Sequence, residues 1–313
     1  MSRTCCFKRR DTALVESNEK SLAPYLALIG VQLTFGSLAV IGKVVLAVIP
    51  AVALVSFRVG ITALILVAVQ AARGRIWLTE KSDYWRLAAM SIVAVTANQM
   101  LFVTGLSMTK ASNTSLLAVT IPIFALTVGS FLGTEKLTKL KIAGIVMAAV
   151  GVIFLIDPRN ASFSSETTIG DILIILNSLS YGIYVATSKS LLTRNGAFRS
   201  IMWIFVFAAL ICVPLGAFSF SAVDVGTITP AIWLLILYIA VIATAAPYFL
   251  NAWALARVNP STVAVFVYFQ PVIGFLLAVA FLGEKIDFKF VLASALIFAG
   301  VFLVIKKFTL SET

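Results

Sequence analysis

Histidine is absent from this 313-residue sequence, acidic residues number 13, and the only cysteines are Cys5, Cys6 and Cys212. With no histidine and no cysteine pair at metal-ligand spacing, neither a zinc centre nor an imidazole general base has the residues it needs. No glycine-rich phosphate loop follows a strand, which excludes an ATPase from this chain, and no cofactor is expected. Cys212 lies in an apolar run and Cys5 and Cys6 in a polar tail, so there is no disulfide framework. The Cys5-Cys6 pair ahead of Lys8-Arg9-Arg10 reads either as a lipidation site beside a basic patch or, more simply, as part of an unstructured tail. That tail has no apolar signal-peptide core, and the first apolar run is expected to act as its own insertion signal.

Charge is scarce as well, at 12% of positions, while hydrophobic residues fill 61% and the mean hydropathy is +1.06. A soluble core cannot hide that much apolar surface, and no hydrophilic block is large enough to fold alone, so the bilayer is the solvent. The net charge of +11 does not point to nucleic acid, because the basic residues are scattered among short connections. The partners expected are a small-molecule substrate and the lipid bilayer; the sequence does not specify an oligomeric state.

A helix needs about 20 apolar residues to cross roughly 30 Å of hydrocarbon. Ten segments qualify: Leu22–Leu46, Pro50–Ala72, Trp85–Met108, Ala111–Leu132, Leu140–Ile156, Ile169–Leu192, Ser200–Phe220, Ile232–Leu255, Ser261–Phe281 and Phe288–Ile305. With the N-terminus inside, eighteen of the 24 Lys and Arg residues fall on inward-facing segments. Lys43, Lys110, Arg159, Lys285 and Lys289 face outward, and Arg58 lies within the second span. The positive-inside rule then predicts both termini in the cytoplasm of a multi-pass protein of the plasma or inner membrane.

The chain repeats itself. An offset of 149 positions pairs Leu106 with Leu255, Ser112 with Ser261, Pro122 with Pro271, Glu135-Lys136 with Glu284-Lys285, and Gly151-Val152 with Gly300-Val301. Further upstream, Leu33-Thr34-Phe35-Gly36 with Lys43 matches Leu179-Ser180-Tyr181-Gly182 with Lys189 at an offset of 146. Each half holds five spans, an odd number, so the second copy enters the membrane upside down. Inverted repeats are a common plan of secondary transporters, because two related halves can exchange conformations about a site at the midplane.

The sequence resembles the drug/metabolite transporter superfamily, in particular its ten-helix EamA-like members. The resemblance rests on Gly42-Lys43 and Phe57-Arg58, and on Ala111-Ser112 through Pro122 to Leu132-Gly133-Thr134-Glu135-Lys136. A second copy of the latter runs from Pro260-Ser261 through Gln270-Pro271 to Leu282-Gly283-Glu284-Lys285. Thr134, between Gly133 and Glu135, departs from the usual Gly-Glu. The resemblance implies a tail over residues 1–21, repeats over 22–157 and 169–306 with an outward loop at 158–168 between them, and a second tail over 307–313. It also implies a basket around a central cavity lined by spans 1, 3, 4, 6, 8 and 9, with spans 5 and 10 at the periphery, and export of amino acids or other metabolites.

Polar side chains within spans turn from lipid toward a cavity or another helix. Asn177, Ser180, Tyr181, Tyr184 and Ser188 form one stripe of span 6, and Thr244, Tyr248 and Asn251 one stripe of span 8. Span 3 carries Asn98 and Gln99, the latter equivalent to Tyr248, and in span 1 Gln32 shares a face with Lys43. Tyr268 and Gln270 sit about 160° apart on a regular helix, so one of them, and we take Gln270, faces the same cavity. Gln32, Asn98, Gln99, Asn177, Tyr181, Tyr184, Tyr248, Asn251 and Gln270 are therefore the candidate substrate contacts, each weighed against hydrogen bonding between packed helices. Pro122 and Pro271 are candidate hinges or packing kinks, Arg58 a candidate anion contact or brace for carbonyls, and Lys43 and Lys189 either pathway residues or side chains reaching the two surfaces. The thirteen acidic residues all fall in tails, in loops or at span ends. Facilitated diffusion or exchange is thus expected rather than obligatory proton coupling.

The expected molecule is an all-α integral membrane protein, ten transmembrane helices as two inverted five-helix repeats around a central cavity, not an enzyme, and a secondary carrier of small metabolites by alternating access. A channel or sensor is the alternative, and a lipid-modifying membrane enzyme a more distant one, since it lacks clustered acidic or histidine residues.

Overall fold

A computed structural model describes residues 22–74, 76–156, 167–273, 276 and 288–305. Both tails, Arg75, the 157–166 connection with Arg159, and Glu284-Lys285 lie outside the described residues. The helices are α1 (Ala23–Leu46), α2 (Ala51–Ala72), α3 (Ser82–Met108), α4 in two pieces (Ala111–Leu117 and Thr120–Phe131), α5 (Lys139–Ile156), α6 (Thr168–Asn195), α7 (Ala197–Phe220), α8 (Pro230–Leu255), α9 (Pro260–Ile273) and α10 (Phe288–Ile305). Among the described residues nine are long and apolar enough to cross a membrane, α9 is a shorter apolar helix, and no strand is present. Pro24, Pro230 and Pro260 lie in the first turns of α1, α8 and α9, where a missing N–H costs nothing. Gly196 at φ 81° makes the single-residue corner between α6 and α7, a conformation that other residues adopt only with strain.

The ends of these helices alternate between two faces, referred to below by Thr168 and Asn195, the two ends of α6. Leu26, Leu64, Phe218 and Phe302 point outward and are mostly exposed, as a lipid-facing belt requires. Exposed Trp77 and Trp85 lie at the Asn195 face, where amphipathic rings suit the interface.

The two halves are related by an inverted pseudo-two-fold axis. α5 and α10, the equivalent last helices of the repeats, cross antiparallel at Gly144, Gly151 and Gly300. A Cβ on Gly300 would stand 2.5 Å from the Gly144 carbonyl oxygen, and one on Gly151 would stand 2.9 Å from that of Ala293. The 149 offset exchanges these two contacts, Gly300 with Gly151 and Gly144 with Ala293, so one operation generates both. Without a hydrophobic effect between helices in lipid, such close backbone approach is what holds them together.

Each repeat has the same two irregularities. A π turn at Ile92–Ala97 in α3 recurs at Val241–Ala245 in α8, again 149 positions on. α4 is interrupted at Ala118-Val119 and α9 by a 3-10 turn at Phe266–Tyr268, each just ahead of its proline. Pro122 and Pro271 cause these breaks, because the ring lacks an N–H and collides with the carbonyl four residues back. Tyr268 lies in the second break and donates 2.8 Å to the carbonyl of Val119, its equivalent in the first, so the pseudo-axis passes between them.

Candidate functional site

A cavity of about 110 Å³ lies between the halves, several times the share of one water molecule. It is walled by α1, α2, α3, α4, α6, α8 and α9. Four pairs of equivalent positions contribute to its wall: Phe35 and Tyr181, Gln99 and Tyr248, Ala118 and Val267, and Ile121 and Gln270. The cavity therefore sits on the pseudo-axis. α5 and α10 contribute nothing to the wall; α2 contributes Arg58, which the expected set of lining spans did not include.

Of the candidate substrate contacts, Asn98, Gln99, Asn177, Tyr181, Tyr248 and Gln270 line the cavity. Asn98 and Asn177 exchange bonds between α3 and α6: the Asn177 amide donates 2.8 Å to the Asn98 carbonyl, and the Asn98 amide 3.4 Å to that of Asn177. Tyr248 donates 3.2 Å to the Asn98 side-chain oxygen, which locks the asparagine's orientation. Gln99 lies against Tyr248 without a well-formed bond, and its buried amide has no other partner among the described residues. Tyr181 donates 3.1 Å to Asn251, which lies behind the wall. Tyr184 is enclosed beside Tyr181 with ring centroids 6.0 Å apart, and Gln32 is buried in α1, both outside the lining. Gln270 faces the cavity while Tyr268 turns to Val119, so the break ahead of Pro271 leaves the two on different sides.

Arg58 is 2% exposed and stands about 12 Å below the start of α2. Its Nε donates 3.0 Å to the Thr244 hydroxyl, whose own proton goes to the Ile239 carbonyl at 2.8 Å. It braces a hydroxyl, not a carbonyl, and its Nη1 has no partner. Thr244 lies in the π turn of α8, and Thr62 of α2 donates 2.9 Å to the Ala240 carbonyl at the start of that turn. In α3 the corresponding turn leaves the Val93 carbonyl to Ser180 at 2.7 Å. Thr244, Phe35, Thr114 and the π turns carry this geometry without having been singled out as substrate contacts. The repeat offset was the signal available for Phe35, the equivalent of Tyr181; Pro247, two residues past Val241–Ala245, was a signal for the π turn of α8, and its equivalent in α3 is Asn98.

Lys43 and Lys189 hold equivalent positions on opposite faces. Lys43 donates 2.6 Å to the Thr109 carbonyl beyond α3, and Lys189 2.8 Å to the Val258 carbonyl beyond α8. Thr109 and Val258 are 149 positions apart, so each lysine caps the negative end of the same helix in its repeat.

Bonds join the repeats at both faces, beginning with the Asn195 face. Buried Glu135, after α4, accepts Lys141 at 2.8 Å, the Ser261 N–H at 2.9 Å and the Ser261 hydroxyl, and so holds the start of α9. Fully buried Asp83 at the start of α3 accepts Asn195 at 2.6 Å and pairs with Arg194 at the end of α6. At the Thr168 face Asp171 accepts Thr109 at 2.6 Å and Asn113 at 3.1 Å. A wider surface cleft of about 810 Å³ at the Asn195 face is bordered by Arg73, Arg199 and Arg257. Arg73 and Arg257 there already lie over the rings of Phe198 and Trp253.

The model of the EamA-like transporter family matches residues 22–157 and 168–306. An uncharacterized transporter of Archaeoglobus fulgidus is 26% identical over 72% of this chain and 78% of its own length. The uncharacterized transporter YetK of Bacillus subtilis is 25% identical over 92% of this chain and 89% of its own. A solved structure titled only as a crystal structure of a protein superposes with a TM-score of 0.73 at 19% identity, over 90% of this chain and 95% of that one, a likeness of fold.

Proposed function

Because this chain belongs to the EamA-like transporter family, and is thus a multi-pass membrane transporter of small molecules, we propose that it is a secondary carrier whose substrate binds in the axial cavity and reaches the two faces alternately. The observation that carries this reading is the set of four equivalent pairs around one cavity. A site on the axis keeps its own walls when the halves exchange conformations, whereas the path to either face changes. On this reading the bonds between the repeats at the Asn195 face, through Glu135 and Asp83, part when that end opens, and those of Asp171 part when the Thr168 end does.

On the positive-inside count the Asn195 face is the cytoplasmic one and both termini lie on the cytoplasmic side of a plasma or inner membrane. Amino acids or related metabolites are the proposed cargo, moved outward by exchange or facilitated diffusion, since no Asp or Glu among the described residues lines the cavity. Purified protein in liposomes, preloaded with one unlabelled metabolite at a time, tests the proposal. Saturable counterflow of the labelled compound is expected, and flux that stays linear with concentration would speak for a channel.

A further inference from the structure

Arg58 and Gln99 share an unusual state. Each is almost fully buried and each lines the axial cavity; Nη1 of Arg58 has no hydrogen-bond partner, and the Gln99 amide has only the Tyr248 hydroxyl beside it, without a well-formed bond. Among the described residues Arg58 makes no ion pair and no acidic side chain lines the cavity. A guanidinium enclosed at membrane depth needs an anion or water, and its planar fork fits a carboxylate better than any other monovalent group. A single cation in so small a space does not match the charge of a phosphate dianion. Phe35, Leu38, Phe102, Ile174 and Val267 give the rest of the wall an apolar side, beside the amides and hydroxyls already named.

We propose that the cavity takes a small monocarboxylate with an apolar body, its carboxylate on Arg58 with Gln99 donating beside it and its body among Phe35, Phe102 and Ile174. This rests on the carrier reading above and adds the substrate class. Thr244 sets the guanidinium by accepting Nε, which leaves the Nη edge for the ligand. No carboxylate among the described residues lines the cavity to meet an ammonium group, so a second, positive charge on the substrate gains nothing beyond neutral acceptors.

The test compares isosteric pairs small enough for the cavity on the full chain: isobutyrate with isobutyramide, and 3-methylbutyrate with 3-methylbutyramide, with valine as the zwitterionic member. Binding is read as thermal stabilisation of the detergent-purified protein, and counterflow is read separately in liposomes. The acids are expected to bind about tenfold or more tightly than their amides, the loss of one charge-assisted pair. In Arg58→Gln that preference should fall to parity with amide binding retained. If this variant does not fold, the acid–amide comparison on the unaltered protein decides alone. Equal response to acid and amide, or stabilisation by none of the compounds, overturns the assignment. Acids that bind but show no counterflow would leave the assignment standing and remove the carrier reading, whereas counterflow without acid preference would do the reverse.

Discussion

Replacing Glu135 by Gln should loosen the Asn195 face. The carboxylate accepts three donors, Lys141 and both the N–H and hydroxyl of Ser261, and a glutamine offers one oxygen and an NH2 group that meets donors with a donor. At least one bond to a charged acceptor is lost from an 8% exposed site, about 1.5–3 kcal/mol. Water can satisfy the same groups once the face is open, so the cost falls on the closed conformation. At 1.4 kcal/mol per factor of ten, the closed-to-open ratio drops by roughly 10- to 100-fold. The assay is labelling of Ala118→Cys, in the cavity wall, by an impermeant maleimide applied from the Asn195 face, in a background of Cys5→Ser, Cys6→Ser and Cys212→Ala. A labelling rate raised at least about tenfold by Glu135→Gln is expected. An unchanged rate in a protein that melts as the parent does would show that these bonds do not govern access.

Gly300→Ala puts a Cβ 2.5 Å from the Gly144 oxygen and should cost about 1–3 kcal/mol in thermal unfolding, whereas Gly36→Ala meets nothing within 4 Å and should be neutral or slightly stabilising. Lys43→Met and Lys189→Met each remove one carbonyl bond at equivalent helix ends and should lower stability alike, by about 1 kcal/mol; lost exchange at full stability would instead make the lysines part of the pathway. Tyr181→Phe and Tyr248→Phe, at the wall, should weaken exchange several-fold in the liposome assay, and Tyr184→Phe, behind it, should not; equal losses in all three would assign the stripe to packing.

Much of the architecture was legible because bilayer thickness dictates the length of each apolar run, and a duplicated chain states its register twice. Leu22–Leu46 and Phe288–Ile305 correspond to helices Ala23–Leu46 and Phe288–Ile305, while α6 runs on past Leu192 to Asn195, since Asn195 and Arg194 are held by Asp83. Within the site, helical spacing places Tyr181 and Tyr184 on one stripe, but the cavity spans a narrower sector than the stripe, so only Tyr181 reaches it. Arg58 could not be given its partner from sequence, because Thr244 lies in a π turn, and Ile92–Ala97 and Val241–Ala245 themselves read as ordinary apolar helix. The breaks in α4 and α9 were legible in position from Pro122 and Pro271, yet the bond from Tyr268 to Val119 needs the two repeats brought face to face.

Alternating access requires the halves to separate at the Asn195 face, and a reversible bond across that face tests it. A Cβ on Gly129 of α4 would lie 3.8 Å from the Ala186 Cβ of α6, the separation found across disulfides. Gly129→Cys with Ala186→Cys, in the background lacking the native cysteines, should cross-link on oxidation in liposomes. The account predicts that counterflow stops when the bond forms and returns on reduction of the same vesicles. Counterflow that continues unchanged through fully cross-linked protein would contradict it.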